Sequence, residues 1–123
     1  MINDKNTNVF ELKELMREFR DERDWEKFHN VKDLAVAISV EAGELLELFL
    51  WHKSEDFTKQ MENDLEFREE VSDELADVIN LCLAFANIAG LDVATLTKNK
   101  IAKAKLKYPI EKAKGRAIKY TKF

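Results

Sequence analysis

The stretch Val40-Glu41-Ala42-Gly43-Glu44-Leu45-Leu46-Glu47 sets the hardest condition on this chain. It places carboxylates at Glu41, Glu44 and Glu47 inside a run, Leu34 to Trp51, that is otherwise almost wholly apolar. A carboxylate taken out of water needs a counter-charge or hydrogen-bond donors. Glu41 and Glu44 are three residues apart, so on a helix they share one face. The pattern returns at Glu70-Val71-Ser72-Asp73-Glu74-Leu75-Ala76-Asp77, where Glu74 and Asp77 are again three apart and lead into the apolar run Val78 to Ala89. Two helices therefore each carry an acidic pair where core residues belong.

The remaining sequence is helical in its spacing. Three glycines and one proline in 123 residues leave too few turns for a sheet-rich fold. We expect one all-α domain, a four-to-five-helix bundle with antiparallel helices, over residues 1–123. Residues 1–7 read as a disordered lead-in. Asn8 and Glu11 have capping-box spacing, and Phe10, Leu12, Leu15, Met16 and Phe19 continue a first helix to about Asp24. Trp25, Phe28 and His29 come next, at a corner; such a group most often caps a core, but it can also stack on a flat ligand. Asn30 with Asp33 starts a second helix, which runs to about His52. Gly43 lies inside it at a cost of about 1 kcal/mol relative to Ala, which suggests close approach by a neighbour or ligand. The linker Ser54 to Glu62 is polar, with Phe57 and Met61 as anchors. A third helix runs from Asn63 or Asp64 to Ala89, with Gly90 as its C-terminal cap. A fourth, capped by Asp92, covers Val93 to about Tyr108 and stops at Pro109. Residues 110–123 form a basic tail.

With a short linker, the second and third helices pack antiparallel by default. Glu44 lies about 12 Å before His52 and Glu74 about 15 Å after Asp64, at 1.5 Å per residue. The two acidic pairs thus sit at nearly one level. Four carboxylates facing each other cannot all stay ionised without a counter-charge. Few basic residues lie on these helices, which weakens a salt-bridge network as the answer. An all-oxygen set suits Mg²⁺, with Mn²⁺ as a substitute. Di-iron needs two Glu-x-x-His pairs, and the chain has one, Glu26 to His29. The shortage of His and Cys disfavours zinc.

Charge and cysteine usage narrow the setting. From Lys98 to the C-terminus there are ten Lys/Arg and one acid, +9, whereas residues 1–97 carry the other ten Lys/Arg and 23 acids, −13. Such a basic end could bind nucleic acid, serve a phosphate chain or pair with the acidic helices. No stretch approaches the roughly 18 apolar residues of a membrane span. Met1 to Asn8 has no signal-peptide character, and the single cysteine, Cys82, reads as a small buried hydrophobe. We expect a cytoplasmic protein with no membrane or nucleic-acid-polymer partner.

Glu41-x-x-Glu44, a 29-residue spacer and Glu74-x-x-Asp77 resemble the metal-binding signature of the all-α nucleoside triphosphate pyrophosphohydrolases, the MazG-like family. Arg23-Asp24-Trp25-Glu26-Lys27-Phe28-His29, Gly43 to Trp51, Lys107-Tyr108-Pro109 and Lys119-Tyr120-Thr121 resemble its dCTP pyrophosphatase branch. The likeness covers roughly residue 10 to the C-terminus. It implies cleavage of a (d)NTP between the α and β phosphates, giving monophosphate and pyrophosphate, with dCTP preferred. It implies that Glu41, Glu44, Glu74 and Asp77 hold Mg²⁺, that Glu47 or Glu70 orients the water, and that Trp25 and Trp51 stack on the base. His29 and Asn80 are then polar contacts, and Lys100, Lys103, Lys107 and Tyr108 serve the triphosphate. Ala104 departs from an Asn common among relatives, and Leu81 from a Tyr of the animal dCTP enzymes; both bear on substrate preference. A dUTP-directed member of the superfamily is the rival enzyme, and a helical adaptor with an acidic stripe is the non-enzymatic one.

Leu34, Val36 and Ile38 point to different sides of their helix, as do Leu81, Leu83 and Phe85. A lone chain would expose some of them as a patch that soluble monomers avoid. Symmetric pairing is the common remedy, and the resemblance implies dimers or tetramers. We expect a homotetramer built as a dimer of dimers, or a dimer.

Overall fold

Asn8 opens the first helix as its spacing with Glu11 predicts: its side chain accepts from the Glu11 N–H, and Glu11 accepts from the Asn8 N–H, both at 2.9 Å. In a computed structural model describing residues 1–123, this helix, α1, spans Val9–Glu22. Asn30 caps α2 (Val31–Leu50) by accepting from Asp33 N–H. Asp56 caps α3 (Phe57–Asn63), Asp64 caps α4 (Leu65–Ala89), and Asp92 caps α5 (Val93–Lys107). A short α6 (Ile110–Ala113) comes after Pro109, and single 3₁₀ turns lie at Glu26–Phe28 and Tyr120–Lys122. There are no strands. The fold is all-α, as expected.

The chain forms two compact units, Met1–Gly90 and Leu91–Phe123. In the first, α2 and α4 make the most extensive contact, and α1 and α3 both lie against α4. Phe49, late in α2, meets Phe67, early in α4, at 5.6 Å between ring centres, while Glu41 and Glu44 meet Glu74. Those two levels fix the pair as antiparallel. Leu34, Phe67, Val71, Leu83, Ala84 and Ala86 are buried. Removing a side chain such as Phe67 from water contributes about 1.5–3 kcal/mol. Asn87 ties α1 to α4: its Nδ2 donates to the Lys13 carbonyl at 2.9 Å, and its Oδ1 accepts from Arg17 at 3.4 Å. Gly90 ends α4 in the left-handed region, φ 66°, where a residue without Cβ is favoured.

Two local expectations need correction. The polar linker contains α3; Phe57, Gln60 and Met61, its half-buried residues, sit at i, i+3 and i+4. Phe57 packs edge-on against Phe49, so the expected anchor is also a helix face. Cys82 is exposed rather than buried. Residues 1–7 hold a turn at Asp4–Asn6 in which the Asn3 N–H donates to Asn6 and Asn6 Nδ2 to the Met1 carbonyl. Gly43 is approached by nothing in its own chain: a Cβ there would meet no atom within 4 Å.

In the second unit the basic tail turns back on Tyr108. That ring meets Tyr120 and Phe123, each edge-on at 5.8 Å. Lys107 and Arg116 place their cations over Tyr120 and Phe123. No single helix is long and apolar enough to cross a membrane.

Candidate metal centre and cleft

Each acid of the site is placed by its register on α2 or α4. Glu41 and Glu44 lie one turn apart on α2, and Glu74 faces them from α4. One carboxylate oxygen from each of the three lies within 4.8 Å of the others. Glu41 and Glu74 are half-buried, and Glu44 is exposed. Asp77, one turn beyond Glu74, lines a cleft together with Glu41.

Two observations bear on what this arrangement could hold. Glu41 Oε2 and Glu74 Oε2 are shut off from solvent and have no hydrogen-bond partner. Buried oxygens of this kind are ordinarily satisfied, so two in one cluster fit a positively charged ligand. The acids also crowd one another. The Glu41 carboxyl is pushed up to about 7, first by sharing a hydrogen bond with Glu44, then by burial, then by the charges of Glu44, Asp77 and Glu74. Glu74 is raised as well, by burial first and then by Glu44 and Asp77. A hard cation bound among these oxygens reverses both effects. The donor set, all carboxylate, fits a divalent metal of the Mg²⁺ or Mn²⁺ type.

Beside the acids lies a cleft of about 260 Å³, walled by Met16 and Phe19 from α1 and by Asn80 and Leu81 from α4. Met16 and Phe19 read as core in the sequence; their i, i+3 spacing holds one face of α1, and that face closes the cleft. Asn80 is its one neutral polar side chain. Trp25 packs edge-on against the Phe19 ring at 5.6 Å and remains 43% exposed, one ring away from the acids. His29 is half-buried, and its Nδ1 is inaccessible and unpartnered. Trp51 closes α2 and is 77% exposed, so it is no core residue within its own chain.

Glu47 and Glu70 are exposed and outside the three-acid group. Lys100 and Lys103 are exposed on α5, and Lys107 and Tyr108 belong to the aromatic contacts of the second unit.

Antiparallel helices with a cluster of carboxylates beside an open cleft define an all-α, acid-lined protein whose carboxylates could hold a metal ion. Its relatives make the class specific. Residues 36–123 match the MazG-like family, and the chain belongs to that family. It is similar to dCTP pyrophosphatase 1 from Bos taurus, 34% identical over 111 residues, and to that from Homo sapiens, 33% identical over 111 residues. Each match covers 90% of this chain and 65% of the relative, so the chain spans just under two-thirds of the curated relatives' length. It is also similar to a pyrophosphatase from Archaeoglobus fulgidus whose crystal structure is known. That match has 38% identity and a TM-score of 0.74, covering 89% of this chain and 99% of the other.

Proposed function

We propose that this protein is a Mg²⁺-dependent nucleoside triphosphate pyrophosphohydrolase that prefers dCTP and releases dCMP and pyrophosphate. The observation that carries the reading is the meeting of Glu41, Glu44 and Glu74 with two buried, unpartnered oxygens among them. The relatives' names supply the substrate class.

Glu41, Glu44, Glu74 and Asp77 would hold the metal. A divalent cation there supplies neutralisation of phosphate charge and acidification of water. The chain's own groups do the rest. Met16, Phe19 and Leu81 give the base an apolar wall, and Asn80 offers it an amide. Trp25 and Trp51 add aromatic faces, and His29 is a candidate for a further polar contact. Glu47 and Glu70 are the candidates to orient or deprotonate the attacking water. Lys100, Lys103, Lys107 and Tyr108 are the candidates for the triphosphate tail. A second substrate reading stands on Asn80: an amide presents both a donor and an acceptor, so it can match cytosine or, turned over, uracil. A dUTP-directed enzyme is therefore the alternative.

The protein acts as a homo-oligomer, a tetramer of paired dimers or a dimer, in the cytoplasm. The support for assembly is the exposed apolar row on α2, where Val36, Val40, Leu46 and Leu50 are each more than half exposed. The test is a panel of common NTPs and dNTPs, with and without Mg²⁺, scored for pyrophosphate. Fastest release from dCTP supports the reading, and fastest release from dUTP selects the alternative. No release from any triphosphate refutes both.

A further inference from the structure

Arg20 is the one buried charged residue of the core, 7% exposed, and no acid of the metal cluster touches it. Its Nε donates to Asp21 Oδ1 at 2.8 Å, and its Nη2 lies 2.8 Å from the same oxygen and 3.9 Å from Glu26 Oε2. Asp21 is on α1, whereas Glu26 is on the 3₁₀ turn beyond the corner. The guanidinium therefore spans the corner that ends α1. The backbone there is tight: the Arg20 carbonyl accepts from both Arg23 and Trp25 N–H, at 3.2 and 3.0 Å. Between them Asp24 takes φ 53°, a left-handed conformation uncommon for a residue with a Cβ. Trp25 emerges from this corner against Phe19, whose ring also lies 3.9 Å from the Arg23 guanidinium carbon and lines the cleft beside Glu41 and Asp77.

A buried charge adds little net stability over an apolar residue of the same volume. What a charge with directional donors can add is a fixed geometry. We infer that Arg20 is a positioning residue: by bridging Asp21 and Glu26 it locks the α1 corner and holds Trp25 and Phe19 as one wall of the substrate cleft. The inference rests on the proposed function only in what the wall binds. It adds a residue that touches neither phosphate nor metal yet governs how the base is held.

The test uses the full chain with Arg20→Met, Arg20→Lys and Asp21→Ala. Spectra are taken in a Trp51→Phe background so that Trp25 alone reports, and kinetics in the otherwise unchanged protein. Arg20→Met should flatten the near-ultraviolet dichroism of Trp25 and raise KM for dCTP about tenfold, within the range of one lost stacking contact. It should leave kcat within about twofold, because the acids keep their places. Arg20→Lys should recover most of the KM and of the dichroism, and Asp21→Ala should fall between. If Arg20→Met does not fold, Asp21→Ala, a change at a half-exposed site, decides by the same readouts. Unchanged Trp25 dichroism and KM in the folded variants overturn the inference, and so does a loss confined to kcat. If the unsubstituted protein hydrolyses no triphosphate, the proposed function fails, and the dichroism alone then decides whether Arg20 sets the corner.

Discussion

Replacing Glu44 with Gln should return the Glu41 carboxyl toward its ordinary range. In the metal-free protein Glu41 titrates near 7, and the largest cause is the hydrogen bond it shares with Glu44. An amide at position 44 carries no charge and donates to the ionised carboxylate, so it pulls the pKa down. At pH 6 a group titrating at about 7 is roughly nine-tenths protonated, while one at about 4.5 is only a few per cent protonated. The folded protein thus holds close to one more proton than the unfolded chain at that pH. A carboxyl raised in the folded state contributes stability that is present below about 4.5 and lost as pH rises through about 7. Glu74, also raised, acts in the same direction. Without metal, the melting temperature should fall between pH 5 and 8, and Glu44→Gln should flatten that fall. Saturating Mg²⁺ should flatten it too, with release of roughly half a proton per site at pH 7. Carboxyl carbon NMR of the labelled glutamates reads the titration directly. A Glu41 midpoint near 4.5 in the unsubstituted, metal-free protein would refute the reasoning.

Three further outcomes are expected. Phe67→Ala should cost about 3–5 kcal/mol in urea unfolding, because Phe67 is 3% exposed and packs against Phe49, Phe57 and His52; a loss below about 1 kcal/mol would contradict that packing. Trp51→Ala should weaken dCTP binding, measured with Ca²⁺ in place of Mg²⁺, by about 1–3 kcal/mol without lowering stability, since the ring is 77% exposed. Light scattering should give a multiple of 14.3 kDa, and Leu46→Glu with Leu50→Glu should reduce both assembly and activity; a fully active single chain would contradict the assembly.

The helices were legible where caps and periodicity agreed. Asn8, Asn30, Asp64 and Asp92 each accept the backbone N–H three residues on, Gly90 terminates α4, and Pro109 keeps α5 from continuing. The level of the two acidic pairs came from rise per residue alone. Helix α3 was not legible as a helix because seven residues give only one repeat of its buried face, Phe57, Gln60 and Met61. The exposure of Cys82 escaped because α4 is apolar on more than one side, so composition could not say which side is covered. Met16 and Phe19 illustrate the same limit: an apolar helix face reads as core whether it meets another helix or closes a cleft. The role of Arg20 was invisible, because only the corner at Asp24 brings Glu26 back within reach of α1.

Incubation of dCTP with the protein and Mg²⁺, monitored by phosphorus NMR, bears most directly on the four-acid site. Pyrophosphate and dCMP should appear in equal amounts, nothing should appear without a divalent cation, and Glu44→Gln and Glu74→Gln should each lower turnover by about a hundredfold or more while remaining folded. Release of single phosphates, or near-normal turnover in either variant, would contradict the assignment of Glu41, Glu44, Glu74 and Asp77 as the metal centre.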